Sequence, residues 1–184
     1  MRKLRIAIDM DDVMANTSQK TIQLHQELFG SNWSESDFDG LGFQELIKEE
    51  EYEAIREKFF EPGFFADLAL MEGVQEVMAY LHAHHEVFIV SAAMEFPNSL
   101  TEKQAWLGRH FPYISWRNIV FCGDKSIITA DILIDDHEKN LKTFTGKPLL
   151  FNAIHNQKLQ GYTRVRSWKE VKEFVDAFAQ NTKN

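Results

Sequence analysis

The stretch Leu4–Val13, LRIAIDMDDV, decides the fold of this chain. It begins as a short run of branched apolar residues, typical of a buried strand, and then turns into three acids, Asp9, Asp11 and Asp12. A strand that ends on carboxylates places them at the carboxyl edge of a sheet, where open α/β folds bind their ligands. Clustered carboxylates repel one another unless a cation neutralises them, and hard oxygen ligands suit Mg²⁺. The alternative is a solvated acidic turn before a helix, and this stretch alone leaves both interpretations open.

The composition restricts the class of protein. With 184 residues the chain is long enough for one domain, or for one domain with an inserted subdomain. A single cysteine, Cys122, excludes an internal disulfide framework, and no apolar segment is long enough to span a bilayer. A net charge of −8 argues against binding to nucleic-acid polymers but allows a small anionic ligand beside a local cation. We expect a cytoplasmic protein without membrane contact, and the oligomeric state stays open.

Apolar runs that alternate with helical segments predict the fold after Val13. Apolar residues recur at helical spacing over 17–29 and from Gly73 through Leu81. Two more helices are expected to begin at Thr101 and at Ser167, where the sequence has a capping-box pattern. Further apolar strands are expected at Val87–Val90, Asn118–Cys122, Ile132–Ile134 and Leu149–Phe151. This alternation predicts an α/β fold, a Rossmann-like parallel sheet with helices on both faces.

Residues 31–70 differ from the rest because they are rich in acids and aromatics and contain no convincing strand. Two segments, 44–50 and 53–60, have helical spacing. We therefore predict a small helical cap subdomain, residues 17–70, inserted into an α/β core domain made of residues 1–16 and 71–184. The aromatic side chains are expected to form the core of that subdomain, with one or two facing a ligand.

Polar side chains follow four of the predicted strands. Because the ends of parallel strands share one edge of the sheet, these distant residues are expected to converge: Asp9 and Asp11, Ser91, Lys125, and Asp135 with Asp136. Acids from two strands can hold one Mg²⁺, while a lysine and a hydroxyl can contact a phosphate dianion. Each residue alone has a local alternative as a helix cap, a solvated lysine or a turn. Polar residues of both charges at four strand ends together favour a ligand-binding site over these local alternatives.

The same four strand ends resemble the motifs of the haloacid dehalogenase-like phosphatases. The first motif is similar to Ile6–Val13, IAIDMDDV, and Ser91, Lys125 and Asp135-Asp136 resemble the second, third and fourth. A closer similarity is to the 5′(3′)-deoxyribonucleotidases. It rests on Asp9-Met10-Asp11, Phe64-Phe65, Glu102-Lys103 with Ala105-Trp106, the run from Asp124-Lys125 through Ala130-Asp131 to Ile134-Asp135-Asp136, and His155-Asn156-Gln157 with Leu159-Gln160. The resemblance implies that the helical insertion is the family's cap.

The resemblance also implies an activity and a role for each site residue. The implied enzyme is a Mg²⁺-dependent phosphomonoesterase that hydrolyses nucleoside monophosphates through an aspartyl-phosphate on Asp9. Asp11 is implied as the acid and base, and Asp9, the backbone carbonyl of Asp11 and Asp135 as the metal ligands. Ser91 and Lys125 are implied as further catalytic residues that also contact the phosphate. The other implied residues are Ala92, Lys103 and Phe65 as substrate contacts and Asp136 as support.

Two departures from the family pattern leave the substrate open. Asn16-Thr17 stand where family members carry an aspartate and then an aromatic residue that helps to hold the nucleobase, and Asp12 replaces a common glycine. One alternative is therefore a phosphatase of the same chemistry for another small phosphate ester. The other is a regulatory module that binds phosphate without turnover, which the intact set of Asp9, Asp11, Lys125 and Asp135 disfavours.

The histidines and the cysteine have simpler interpretations. His82, His84 and His85 fall at a predicted helix end, where positive charge is favourable, and this interpretation is preferred to a zinc site. Cys122 ends an apolar strand and is expected to be a small core residue. His155 follows a strand, so that the edge of the site and a plain loop are equally open.

Overall fold

The computed structural model describes residues 2–181, and a six-stranded parallel sheet forms the centre of this region. The order across the sheet is β3-β2-β1-β4-β5-β6, and every neighbouring pair is parallel. The strands are β1 Arg5–Ile8, β2 Glu86–Ser91, β3 Ile119–Phe121, β4 Ile132–Asp135, β5 Lys147–Phe151 and β6 Thr163–Val165. The central position of β1 explains why Ile6, Ala7 and Ile8 have no exposed surface. It also places Asp9 in the middle of the carboxyl edge.

Helices cover both faces of the sheet. They are α1 Thr17–Phe29, α2 Phe43–Leu46, α3 Glu49–Phe60, α4 Val74–His84, α5 Ser99–His110, α6 Glu138–Lys142 and α7 Trp168–Asn181. On one face Ile6 and Ile8 belong to the larger apolar cluster, to which α4, α5 and α7 contribute. On the other face Ala7 packs in a smaller cluster with Leu141 of α6. Alternate residues of β1 thus enter opposite layers, as the pleat of a strand requires. The predicted α/β fold is confirmed.

Helix α1 begins and ends as predicted because both of its ends are capped. The Asn16 side chain accepts a hydrogen bond from the backbone N–H of Gln19 at 2.9 Å. At the other end Gly30 adopts φ +67°, and its N–H donates to the carbonyl of Gln26 at 2.9 Å. At α7 the predicted cap is also present, since the Ser167 hydroxyl accepts from the N–H of Glu170 at 3.2 Å.

Two sequence predictions of secondary structure were wrong in detail, and one strand was missed. Helix α5 begins at Ser99, and Thr101 lies inside its first turn with its hydroxyl donating to the Asn98 carbonyl at 3.4 Å. The helix predicted over 44–50 is interrupted, because α2 ends at Leu46 and the next helix starts at Glu49. Strand β6 was not predicted, since only Val165 of its three residues is buried and no apolar run marks it.

The segment 17–70 contains α1, α2 and α3 and no named strand among the described residues. Its aromatic residues divide between two clusters. Phe38 packs with Trp33 and Phe43 in a small local cluster, as predicted. Phe64 and Phe65 instead belong to the main core, so the expectation that the aromatics form a separate core was only partly right. The cap subdomain 17–70 stays a prediction, as does the core domain 1–16 and 71–184, whose residues 1 and 182–184 lie outside the described residues.

The remaining sequence interpretations concern the end of α4, Cys122 and membrane contact. His82 and His84 lie in the last turn of α4, and neither joins His85 in a group that could hold a metal within 2–181. His85 is buried, and its Nδ1 accepts a hydrogen bond from the N–H of Leu4 at 3.3 Å. Cys122 packs, partly buried, against the smaller apolar cluster. Within the described part of the chain, no helix has both the length and the apolar character needed to cross a membrane.

Candidate active site

Lys125 joins the ends of two neighbouring strands. Its Nζ lies 2.7 Å from Asp9 Oδ1 and 2.7 Å from Asp135 Oδ2, so that one ammonium contacts a carboxylate after β1 and another at the end of β4. All three residues are buried, with exposures of 2% for Lys125, 5% for Asp9 and 0% for Asp135. The sequence prediction that these strand ends converge is therefore met by direct contacts.

Burial gives these groups unusual protonation behaviour. The pKa of Asp9 is raised to about 7, mainly by loss of solvent and also by Asp135 and Asp11, while Lys125 opposes the rise. Burial also lowers the pKa of Lys125, but the adjacent Asp9 and Asp135 outweigh that effect and hold it above its usual value. Lys125 therefore stays charged, and an added cation at this edge would favour the ionised form of Asp9.

Asn140 fixes the orientation of Asp135. Its amide nitrogen donates to both carboxylate oxygens at 3.0 Å, and the backbone N–H of His137 donates to Oδ1 at 2.9 Å. Sequence reasoning missed Asn140, because a single amide on the short helix α6 matches no motif. The only signal in the sequence was that Asn140 follows Asp135, the acid at the end of β4, by little more than one helical turn.

Asp11 is held from two sides, by Thr17 and by Lys103. The Thr17 hydroxyl donates to Asp11 Oδ1 at 3.1 Å, and Lys103 Nζ forms an ion pair with Oδ2. Lys103 also donates to the Ser91 hydroxyl at 3.3 Å and lies 4.6 Å from the centre of the Phe65 ring. Four of the predicted site residues, Asp11, Ser91, Lys103 and Phe65, are thus in one contact group. Thr17 was not predicted to be part of the site.

Asp12 connects the segment that follows β1 to α1. Its Oδ1 accepts from the backbone N–H of Ser18 at 2.7 Å, and its Oδ2 accepts from the Ser18 hydroxyl at 2.6 Å. Its φ of +51° lies in the left-handed region that glycine adopts most easily and that aspartate tolerates better than most residues. Burial raises the pKa of Asp12 to about 6. The sequence showed this residue only as a replacement of glycine and did not indicate these bonds.

A chamber of about 190 Å³ opens over these groups. Its walls contain Asp9, Asp11, Ala92, Lys103, Lys125, Phe65 and Asp136, together with Phe59, Glu95, Phe96, Lys139 and Asn140 among others. Ser91 has no exposed surface and contacts Lys103 at the edge of this group. A second chamber of about 370 Å³ adjoins the first, and the two share Asp12, Thr17, Phe59 and His137.

The residues at the strand ends fit a divalent cation with hard ligands. One carboxylate oxygen from each of Asp9, Asp135 and Asp136 lies within 4.8 Å of the others, and all three residues are buried. Asp136 Oδ1 has no hydrogen-bond partner among the described atoms. Three carboxylates beside the single ammonium of Lys125 leave two negative charges uncompensated when all are ionised, which is the charge that one Mg²⁺ neutralises.

The chain is similar to nucleotidases over almost its whole length. The family model for 5′ nucleotidase, deoxy (pyrimidine), cytosolic type C protein matches residues 2–181. A protein from Staphylococcus epidermidis, provisionally named a 5′(3′)-deoxyribonucleotidase, is 38% identical over 177 residues, which cover 96% of this chain and 98% of the relative. A 5′(3′)-deoxyribonucleotidase from Clostridium acetobutylicum is 30% identical over 177 residues, covering 96% and 97%. The solved HAD-hydrolase YfnB from Bacillus subtilis, bound to magnesium, has a TM-score of 0.59 at 11% identity and covers 96% of this chain and 100% of its own, so it shows the fold alone.

Proposed function

Because the chain belongs to the 5′-nucleotidase, deoxy (pyrimidine), cytosolic type C family, we propose that it releases phosphate from nucleoside monophosphates through an aspartyl-phosphate on Asp9, with Mg²⁺ as cofactor. Membership of this family makes the chain a phosphoric monoester hydrolase. The observation that carries the proposal is the buried contact of Lys125 with Asp9 and Asp135, with Asp11 on the same chamber.

The reaction proceeds in two steps. A carboxylate oxygen of Asp9 forms a bond to the phosphorus atom, the ester P–O bond breaks, and Asp11 gives a proton to the departing oxygen. A water molecule then attacks the phosphorus atom of the acyl phosphate and gives its proton to Asp11, which releases phosphate and restores the Asp9 carboxylate. Lys125 stabilises the charge that develops beside Asp9. Thr17 and Lys103 hold the Asp11 carboxyl in place between the steps.

The Mg²⁺ ion would be held by the carboxylates of Asp9 and Asp135 and by the backbone carbonyl of Asp11, with Asp136 as support. When bound, it supplies positive charge that lets an anionic nucleophile approach an anionic phosphate. The hard oxygen donors at the three strand-end acids support this choice of metal. The magnesium in the similarly folded YfnB supports it as well.

Substrate binding divides between the two chambers. Phosphate occupies the smaller one, against Lys125, Lys103 and Ala92, with Phe65 covering the Lys103 side. Ser91 lies behind this wall, where its hydroxyl accepts from Lys103 at 3.3 Å. The nucleoside occupies the adjoining chamber, whose aromatic wall includes Phe43, Tyr52 and Phe59. The names of the relatives support deoxyribonucleotides with a 5′ or 3′ phosphate as the substrates. The free thiol of Cys122 and the family description support a cytoplasmic location.

A second candidate is a phosphatase of the same chemistry for another small phosphate ester. The observation in its favour is Thr17, which stands where the resemblance implies an aromatic residue. Its hydroxyl donates to Asp11 at 3.1 Å, so this side chain holds the proposed acid and offers no ring to a nucleobase.

Phosphate release from a panel of deoxyribo- and ribonucleoside monophosphates and sugar phosphates tests both candidates. Each compound is assayed with Mg²⁺, with EDTA, and with the Asp9→Asn variant, while Asp39→Asn at an exposed ion pair serves as the matched control. Release that requires Mg²⁺ and Asp9 and favours deoxynucleotides supports the proposal. A preference for sugar phosphates would support the second candidate, which has the same chemistry and a different substrate. Full turnover by a folded Asp9→Asn protein would refute the nucleophile.

A further inference from the structure

A second group of metal-ligating side chains lies beside the strand-end acids. Asp136 follows β4, His137 follows Asp136, and His155 lies in the short helical turn Ile154–Asn156 after β5. His155 Nε2 is 3.3 Å from Asp136 Oδ2, and His137 Nε2 is 3.6 Å from the same oxygen. The two imidazole rings are stacked, with centres 4.4 Å apart and planes inclined by 20°. One ligand atom from each of the three residues thus lies within 4.8 Å of the other two.

Asp136 offers a buried ligand atom to this group. The residue is only 2% exposed, and its Oδ1 has no hydrogen-bond partner among the described residues. A buried polar atom without a partner is costly, so contact with a bound ion would be stabilising. Lys125 does not fill this role, because its Nζ contacts Asp9 and Asp135.

The two histidines add nitrogen ligands to this carboxylate. His155 Nε2 also lies 3.3 Å from the backbone carbonyl of Asp136. Imidazole is the side chain that most often binds metals, through either ring nitrogen of its neutral form.

We propose that Asp136, His137 and His155 form a binding site for a divalent transition metal of the Zn²⁺ class, next to the proposed Mg²⁺ site, with which it shares Asp136. Two imidazole nitrogens and one carboxylate oxygen suit Zn²⁺ and Co²⁺, whereas Mg²⁺ prefers oxygen ligands alone. Three protein ligands leave a coordination position open. Because His137 and His155 line the 370 Å³ chamber, an ion at this site competes with the group that enters that chamber.

Zn²⁺ binding measured by equilibrium dialysis, with Mg²⁺ saturating throughout, tests the proposal. We expect one Zn²⁺ per chain. When Co²⁺ replaces Zn²⁺, we expect a visible absorption spectrum typical of Co²⁺ bound to nitrogen ligands. His137→Gln and His155→Gln each remove a ligand and are expected to weaken binding at least about tenfold, since even loss of an outer partner of a metal ligand costs that much. His82→Gln, at an exposed position on α4, is the matched control and should bind as the unchanged protein does.

The outcomes separate this site from the proposed Mg²⁺ site. Asp9→Asn should retain Zn²⁺ binding, because Asp9 is not a ligand here, even though that variant loses turnover. Three results would overturn the proposal: no stoichiometric Zn²⁺ in the unchanged protein, full affinity in the folded His137→Gln/His155→Gln double variant, or a loss caused by Asp9→Asn but not by either histidine variant. Circular dichroism confirms the fold of each variant. His137 and His155 side chains are 51% and 20% exposed, so these substitutions avoid the fully buried core.

Discussion

Replacing Lys125 by Met removes the one ammonium that contacts both Asp9 and Asp135. Methionine approximates the length of the lysine chain, so the change removes charge with little change in packing. Removing one partner of a buried ion pair costs about 3–5 kcal/mol because it leaves the other charge uncompensated. Here two carboxylates, each 2.7 Å from Nζ, lose their partner, so we expect a loss in the upper half of that range near pH 7. In a domain of this size each kcal/mol lowers Tm by about 2–4 °C.

The loss of stability in the Lys125→Met variant should grow as the pH rises. Burial has already raised the pKa of Asp9 to about 7, and removal of Lys125, which lowers it, raises it further. Below the ordinary carboxyl pKa both folded and unfolded chains hold the proton, so the missing ammonium matters little there. As pH rises from about 4 towards 8, the unfolded state ionises first and the variant loses stability relative to the unchanged protein.

Urea denaturation in metal-free buffer at several pH values measures both effects. Lys142→Met, at an exposed position on α6, is the matched control and should change the free energy of unfolding by less than about 0.5 kcal/mol. Adding Asp135→Asn to Lys125→Met should recover part of the loss, because one of the two stranded charges is then gone. A loss below about 1 kcal/mol at neutral pH, or a loss that does not grow with pH, would refute the charge-compensation argument. Turnover with Mg²⁺ should also fall by about 10²–10³-fold.

Three further substitutions test other parts of the structure. Asp11→Asn removes the proposed acid, so phosphate release should slow most for esters with poor leaving groups; equal slowing across a series of aryl and alkyl phosphates would contradict that role. Burial lowers the pKa of His85, whose Nδ1 accepts from Leu4, so the unfolded chain takes up the proton first and stability is lost as pH falls below about 6.5. His85→Asn keeps an acceptor and should reduce that loss in urea denaturation between about pH 8 and pH 5, while His82→Asn should not. Gly30→Ala meets no atom within 4 Å but must adopt φ +67°, so it should lower the free energy of unfolding by about 1 kcal/mol; no loss would show that the helix end relaxes.

The convergence of the strand ends could be predicted because parallel topology brings distant strand ends to one edge. Apolar runs of three or four residues mark β1, β2 and β4, and the polar residue that ends each run then has only one place to lie. The ends of α1 were predictable for a similar reason, since Asn16 and Gly30 are local signals that need no tertiary contact. These features depend on a few neighbouring residues.

Features that depend on packing were not predictable in this way. Thr17 and Asn140 act through contacts with Asp11 and Asp135, and neither belongs to a pattern of its own. Strand β6 exists because Thr163 and its neighbours pair with β5, although only Val165 is apolar and buried. Phe64 and Phe65 joined the main core because α5 lies against their segment, which no local periodicity indicates.

The two proposed catalytic acids are held by different parts of the fold. Asp9 contacts Lys125, which comes from the segment between β3 and β4, whereas Asp11 contacts Lys103 on α5. The residue beside Lys103, Glu102, accepts hydrogen bonds from the N–H groups of Gly63 at 2.5 Å and Phe65 at 3.0 Å. Helix α5 therefore connects the proposed acid to the end of the predicted cap, while the proposed nucleophile is held by Lys125 from the segment between β3 and β4. We therefore expect a change in the 63–65 segment to affect proton transfer from Asp11 to the leaving group more than attack by Asp9 on phosphorus.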